Sequence, residues 1–253
     1  MEYFVAKESV VRTIWGKADT ILFIFGGAAA EFALNKAVDW LYFTGKLPAD
    51  PVGRLFSTVR YAREIVFSEN EAALRAIDKI TAIHGAVEKS RGAQIPDWAY
   101  RDVLFMLIDY SIRSFELLER KLTEPEKEEV FNVFYRVGDR MMLKGLPRSY
   151  SQWLHMRADH LQNDLIVSHY SQDLLRQYRR QLGAIRYRIL WEGQILVVPL
   201  RVRQLLHMRS HSFGSPLIAL YKIARTFRLD WLIKSAILPP EYKAQIRALD
   251  VEI

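Results

Sequence analysis

Three observations predict that the chain is all-α and forms one domain over residues 1–253. Apolar residues recur at spacings of three and four along almost every segment, which is the periodicity of helices that pack on a core. Helix start and stop signals separate these segments. Neither an internal repeat nor a linker rich in glycine, proline or serine divides them. Helices packed around one core satisfy such a pattern.

The first strongly apolar run, Ile21 to Ala30, predicts a buried helix that is broken or loosened at Gly26-Gly27. Ten residues are too few to cross a bilayer as a helix, which takes about 20. Residues 54–90 then show helical spacing, interrupted by "FSENEA". Ser68 is the expected N-cap of the second helix in this region.

The next helix is predicted from about Asp97 to Leu122, and it is apolar nearly all round at its centre, which is typical of an interior helix. Thr123 is the expected N-cap of the helix that follows, with Pro125 in its first turn. A further helix is expected to start at Ser149 or Ser151.

The C-terminal third is less regular. Arginine and tyrosine alternate in Arg176–Trp191, as they do on surfaces that bind nucleic acid. Apolar residues such as Leu182 and Ile189 recur through the same segment, so packing on a core or lying on anionic lipid suits it equally well. Nucleic acid is the less favoured partner. Ile195–Val198 alone could be a short strand, but its setting favours a buried helix end.

Charge is distributed unevenly along the chain. Residues 1–130 hold 17 Lys+Arg and 20 Asp+Glu, a net of −3, whereas residues 131–253 hold 19 and 9, a net of +10. Such asymmetry indicates either an anionic partner, meaning a membrane surface or nucleic acid, or simply a solvated basic face.

The composition excludes several kinds of site. There is no cysteine, so disulfides, thiolate metal sites and cysteine nucleophiles are ruled out, and a reducing compartment is favoured. The N-terminal segment has no basic stretch followed by an apolar one, so it does not resemble a signal peptide. We therefore expect a cytoplasmic protein, in peripheral contact with a membrane where its partner requires it.

Common catalytic motifs are also missing. The sequence contains no G-x-S-x-G, no G-x-x-x-x-G-K-[ST], no G-x-G-x-x-G and no Glu-x-x-His. His155 and Asp159, like His207 and His211, are four residues apart, so each pair is placed to share a helix face. The arginine-rich surroundings of the second pair disfavour a divalent cation, and metal binding by either pair is a minor alternative.

His84 is the most informative titratable residue. It lies in a helical stripe of apolar side chains, where a lone histidine is more often a core residue than a ligand. Upstream, Arg54 and Thr58 are four apart and share a helix face, and the two helices can pack as antiparallel neighbours. One nitrogen ligand, one cation and one hydroxyl between apolar walls suit a haem.

Several motifs in order resemble a known family. The chain has DP-x-G-RL-x-x-T around Arg54, then FS-x-x-EAA, then IHGAVE around His84, and it continues through "YRDVLFMLIDYSIRSFELLERKLTEPEKEEVF" into "LPRSYSQWLHMRADHL". This order is similar to the catalytic domain shared by latex-clearing rubber oxygenases and the endoplasmic-reticulum-bound oxygenase MpaB of mycophenolic acid biosynthesis. The resemblance is strongest over residues 12–175.

The resemblance implies an all-α, globin-like fold that binds b-type haem. In the family the histidine that matches His84 is the proximal iron ligand, and the residues that match Arg54 and Thr58 lie by the haem and are needed for full activity. For the distal acid of rubber oxygenases, Asp39 is the nearest counterpart by spacing and Glu31 the second. Rubber oxygenases cleave carbon–carbon double bonds of polyisoprene with dioxygen, and MpaB cleaves a farnesyl-derived side chain.

Two segments depart from the family pattern. Many members have "AHP" where Ala30–Phe32 reads "AEF", and a tryptophan-valine-histidine pattern where Leu107–Ser111 reads "LIDYS". The leading hypothesis is a haem b-dependent oxygenase that uses dioxygen on an apolar or isoprenoid substrate. The alternatives are a non-catalytic haem or lipid carrier at a membrane surface, and a membrane or nucleic-acid adaptor without a cofactor.

Overall fold

The computed structural model describes residues 2–45, 49–226 and 243–250. Within these ranges every regular element is a helix, so the all-α prediction is confirmed, while the globin-like arrangement stays a prediction. The helices in chain order are α1 Val10–Trp15, α2 Ala18–Phe32, α3 Asp39–Phe43, α4 Pro51–Phe67, α5 Asn70–Arg91, α6 Asp97–Leu118, α7 Glu124–Arg140, α8 Tyr150–Asn163, α9 His169–Val197, α10 Leu200–Leu205, α11 Ser215–Thr226 and α12 Lys243–Arg247.

Helices α2 and α6 form the centre of the core. The predicted break at Gly26-Gly27 is wrong, because α2 runs through both residues. A Cβ atom on Gly27 would collide with the ring of Tyr110 on α6. The glycine therefore serves the close approach of two helices rather than a bend, and the low helix propensity of glycine is offset by packing.

Helices α4 and α5 pack against each other beside this centre. The Asp50 side chain accepts a hydrogen bond from the Gly53 amide and caps α4. The N-cap of α5 is Glu69, one residue after the predicted Ser68, because Ser68 is extended and ends α4. At the other end of α5, Gly92 adopts the left-handed conformation that commonly stops a helix.

The predicted caps of the next helices are mostly confirmed. Thr123 and Glu126 form a reciprocal capping box at the start of α7. Ser149 accepts the Gln152 amide at the start of α8, so it is the N-cap rather than Ser151. Helix α6 ends at Leu118, four residues before the expected end.

Helix α9 is bent at Gly183, whose φ of 76° and ψ of 164° lie outside the helical region. A positive φ with this ψ is accessible essentially to glycine alone. The second half of α9 includes Ile195 and Val197, both buried, so this segment is a helix end and not a strand. Among the described helices, none is long and apolar enough to cross a membrane.

Candidate functional site

The imidazole of His84 is half-buried on α5, on the side that faces α4 and α6. Its ring meets the ring of Tyr100 edge-on, with the centroids 5.2 Å apart. The Nδ1 atom is shielded from solvent and has no hydrogen-bond partner among the described residues. Buried polar atoms are rarely left in this condition, so an unsatisfied ring nitrogen is a feature to explain.

The surroundings of His84 favour its neutral form. Burial lowers the pKa of the imidazole, the charge of Arg54 lowers it further, and Glu88 opposes both by raising it. Glu88 itself accepts hydrogen bonds from the Tyr100 hydroxyl and the Ile95 amide. A neutral imidazole keeps the lone pair that a metal needs.

Arg54 and Thr58 are four residues apart on α4, which packs against α5. The charge of Arg54 lowers the pKa of His84, so the two predicted residues interact electrostatically, and their sharing one site stays a prediction. The Thr58 hydroxyl donates to the Arg54 carbonyl, 3.3 Å away, within its own helix. Both residues are partly exposed, and the region of α4 and α5 that carries Arg54, Thr58 and His84 is called the groove below.

Asp39 is near the same groove but is already paired. Its carboxylate accepts from Arg91 Nη2 at 2.7 Å, and the Arg91 guanidinium lies 4.0 Å from the centroid of the Trp40 ring. Arg91 is two helical turns beyond His84, about 10 Å along the axis. The contact therefore holds α3 against the helix that carries His84, and a catalytic role for Asp39 stays a prediction.

Glu31, the alternative acid, lies elsewhere, inside a buried charge cluster made of Glu31, Asp102, Asp109, Tyr110, Arg157 and His160. Arg157 donates to both oxygens of the Glu31 carboxylate and to Asp109 Oδ2, at 2.9 Å for the last contact. Tyr110 donates its hydroxyl proton to Glu31 Oε2 at 2.9 Å. Glu31 and Asp109 stand in the two segments that depart from the family pattern, "AEF" and "LIDYS". The guanidinium of Arg157 binds both carboxylates.

The cluster favours the ionised forms of Glu31 and His160. Burial by itself raises the pKa of Glu31, but the charge and hydrogen bonds of Arg157, with a contribution from His160, outweigh it and bring the pKa to about 2. For His160, burial lowers the pKa, but Asp102 and Glu31 together raise it to about 9. At neutral pH Glu31 is therefore an anion and His160 a cation.

The described residues contain one group with the geometry of a metal site: Asp102, His160 and Asp164, whose ligand atoms lie within 4.8 Å of one another. His160 Nδ1 is 2.7 Å from Asp102 Oδ2, close enough for an ion pair although not aligned for a straight hydrogen bond. A metal binds the neutral imidazole. Because the pKa of His160 is about 9, the contacts are better described as ion pairs.

The other histidine pairs do not form sites. His155 is exposed on α8, and Asp159 accepts from Asn163. His207 and His211 do not share a helix, which corrects the expectation from their spacing. Helix α10 ends before them, and His207 has a left-handed φ of 51°.

A cavity of about 550 Å³ lies between α2, α4, α9 and α11. Leu55 and Phe56 line it from α4, whereas Arg54 and Thr58 of the same helix do not line it. None of the predicted site residues lines this cavity, and the sequence patterns did not point to it. Residues from α2, α4, α9, α11 and α12, far apart in the chain, form it, so no local spacing could have revealed it.

Comparisons with known proteins agree with the motif order. The family model described as "ER-bound oxygenase mpaB/B'/Rubber oxygenase, catalytic domain" matches residues 15–229. No curated protein and no solved structure gives a match to the chain.

Proposed function

The chain belongs to the family of the catalytic domains of ER-bound oxygenase MpaB and rubber oxygenase, and from this premise we propose that it is a haem b-dependent oxygenase acting on an apolar, isoprenoid-like substrate with dioxygen. His84 is the proposed iron ligand. The observation that carries the proposal is the shielded Nδ1 atom of His84, which has no hydrogen-bond partner among the described residues, on a ring whose pKa is lowered.

The residues around His84 fit a haem. Bound haem would supply the redox-active iron that dioxygen chemistry requires. The neutral imidazole of His84 is the ligand type that haem iron takes from proteins. Arg54 offers a cation for a propionate or for developing negative charge, and the Thr58 hydroxyl is a second polar group on the same helix face.

Residues further from the ring hold the groove in shape. The Arg91–Asp39 ion pair fixes α3 at the C-terminal end of α5. Tyr100 packs its ring edge against His84 and donates its hydroxyl proton to Glu88 at 3.0 Å, which restricts the imidazole from the α6 side. Rigid neighbours of this kind orient a ligand side chain before the ligand arrives.

The proposal includes a peripheral contact with anionic membrane, where apolar substrates dissolve. The second half of α9 supports it, because Ile185 is 79% exposed and the exposed Arg188 follows three residues later. An apolar side chain among cations suits the interface of an anionic bilayer. Cytoplasmic location stays a prediction.

Titration of the purified protein with hemin tests the proposal. We expect a Soret band that saturates at one haem per chain, and His84→Ala should abolish it. His155→Ala, an exposed histidine on α8, is the matched control and should leave the band unchanged. A circular dichroism spectrum identical to that of the parent protein shows that the variants are folded.

Two outcomes count against the proposal: absence of a Soret band in the parent protein, or an unchanged band in folded His84→Ala. Oxygen consumption by the haem-loaded protein with an isoprenoid then separates an oxygenase from the alternative, a haem or lipid carrier. A carrier gives the Soret band without turnover.

A further inference from the structure

We propose that the cavity between α2, α4, α9 and α11 binds an amphiphile with one aliphatic chain and an anionic head group, and that Arg186 binds the head. This site is separate from the groove that contains His84, and its occupancy does not depend on haem.

The walls of the cavity are apolar. Its volume of about 550 Å³ falls within the range of about 300–1,000 Å³ that natural ligand pockets occupy. Leu22 and Phe23 contribute from α2, and Leu55 and Phe56 from α4. Such a lining stabilises an aliphatic chain by removing it from water.

Both halves of α9, before and after the bend, line the cavity. Tyr178 and Leu182 precede the bend at Gly183, and Arg186 and Leu190 follow it. Helix α9 therefore contributes both apolar side chains and a cation to the lining of the cavity.

The acidic residues in the wall are already neutralised. Asp19 accepts from Arg225 Nη1 and from the Tyr221 hydroxyl, each at 3.0 Å. Glu192 pairs with Arg209 and also accepts from the Ser212 hydroxyl at 3.0 Å. Neither carboxylate is therefore left to balance a further cation.

Arg186, unlike these carboxylates, has no charged partner among the described residues. In the part of the chain that the structure describes, it makes no ion pair or hydrogen bond, and its Nε atom is shielded from solvent without a partner. Tyr178, a buried residue in the same wall, likewise makes no side-chain hydrogen bond among the described residues. The Arg186 residue is partly exposed, and an anionic group would give its unpaired guanidinium charge-assisted hydrogen bonds.

A neutral hydrocarbon would fill the walls but leave Arg186 without an anion. The observations therefore favour a chain with a head that carries negative charge. Carboxylate and phosphate heads share this chemistry, and a comparison of the two distinguishes a fatty acid from a phosphorylated lipid.

Isothermal titration calorimetry on the full-length, haem-free protein tests the inference with laurate, dodecyl phosphate and dodecanol as probes. We expect at least one of the two anions to bind more tightly than dodecanol. For carboxylates of 10 to 14 carbons, each added methylene should tighten binding about fourfold. Arg186→Gln should weaken binding of the anions by at least about tenfold while leaving dodecanol unchanged.

Two variants complete the design. Arg186→Lys keeps the charge and should recover part of the affinity. Arg188→Gln removes an exposed arginine of the same helix that does not line the cavity, and it should bind like the parent protein. Equal affinity of folded Arg186→Gln and the parent protein for the anions, or no binding of any probe, overturns the inference. Because the protein is haem-free, a missing Soret band in the earlier experiment does not affect this result.

Discussion

His84 and His160 are both withdrawn from water on helices of the same domain, yet their pKa values move in opposite directions. His160 lies between carboxylates of the buried charge cluster, which raise its pKa to about 9. His84 lies near Arg54 in the groove between α4 and α5, and burial together with that cation lowers its pKa. One histidine is therefore a cation at neutral pH and the other is neutral.

The difference separates a structural region from a binding region. In the buried cluster, Arg157 faces Glu31 and Asp109, and His160 faces Asp102. In the groove, a ring nitrogen of His84 is left without a partner and the nearest charge repels its proton. Polar groups that pair with one another inside the protein stabilise the fold, and polar groups left without a partner are suited to binding a ligand.

The largest expected effect is on the free energy of unfolding, when an arginine is removed from the buried cluster or from the groove. Arg157→Met should lower the free energy of unfolding by about 3–5 kcal/mol, because Glu31 loses its main counter-ion in a fully buried position. Arg54→Met should lower it by less than about 1 kcal/mol, because Arg54 is partly exposed and its side chain is in no described ion pair. Urea denaturation at pH 7 measures both.

The comparison would fail if the two variants lost the same stability. The double variant Glu31→Leu with Arg157→Met is the control, since it removes the stranded charge along with its partner. It should be more stable than Arg157→Met alone, because Asp109 keeps its ion pair with Arg113 at 2.6 Å.

A smaller change in the free energy of unfolding is expected when the pH is varied. The pKa of His160 is about 9 when folded against an ordinary 6.5, so its stabilisation is fully present below pH 6.5 and is lost as pH rises through 9. The loss amounts to about 3 kcal/mol over that range. Glu31, with a pKa of about 2 against 4.5, acts at the other end, where its stabilisation is lost as pH falls from 4.5 toward 2. The cluster stabilises most between about pH 4.5 and 6.5.

Urea denaturation at pH 6, 7, 8 and 9 tests the alkaline limb. The free energy of unfolding of the parent protein should fall across this series, and that of His160→Gln should fall less. Parallel curves for the two proteins would show that His160 is not held as a cation. Asp102 and Asp164 also face His160, so Asp164→Asn, which removes the more distant carboxylate at 3.5 Å, should flatten the curve only slightly.

The local parts of this structure could be predicted from the sequence, and the long-range parts could not. The caps at Thr123 and Ser149 depend on residues within three positions, so the pattern contained them. The proximity of Arg54 and His84 followed from two helices joined by a short break. The prediction of a break at Gly26-Gly27 was wrong because a glycine pair is found both where helices break and where two helices pack closely. Only the position of Tyr110 next to Gly27 distinguishes the two, and the sequence does not show it.

The buried cluster is held by contacts across the chain. Arg157 is 126 residues from Glu31 and 48 from Asp109, and no spacing rule joins them. A signal was nevertheless present, since acidic residues stand in two of the most apolar segments of the sequence. A carboxylate buried there requires a cation, although the sequence does not say which one.

The smallest expected effect tests the groove itself. Arg54→Met removes the cation that helps to lower the pKa of His84, so that pKa should rise toward its ordinary value while burial still holds it down. Proton–carbon NMR of the His84 ring across pH 4 to 8 measures the shift in haem-free protein. Arg60→Met, an exposed arginine of the same helix, is the matched control and should leave the titration of His84 unchanged. An unaltered pKa in Arg54→Met would mean that Arg54 does not face the imidazole, and the two predicted residues would not share a site.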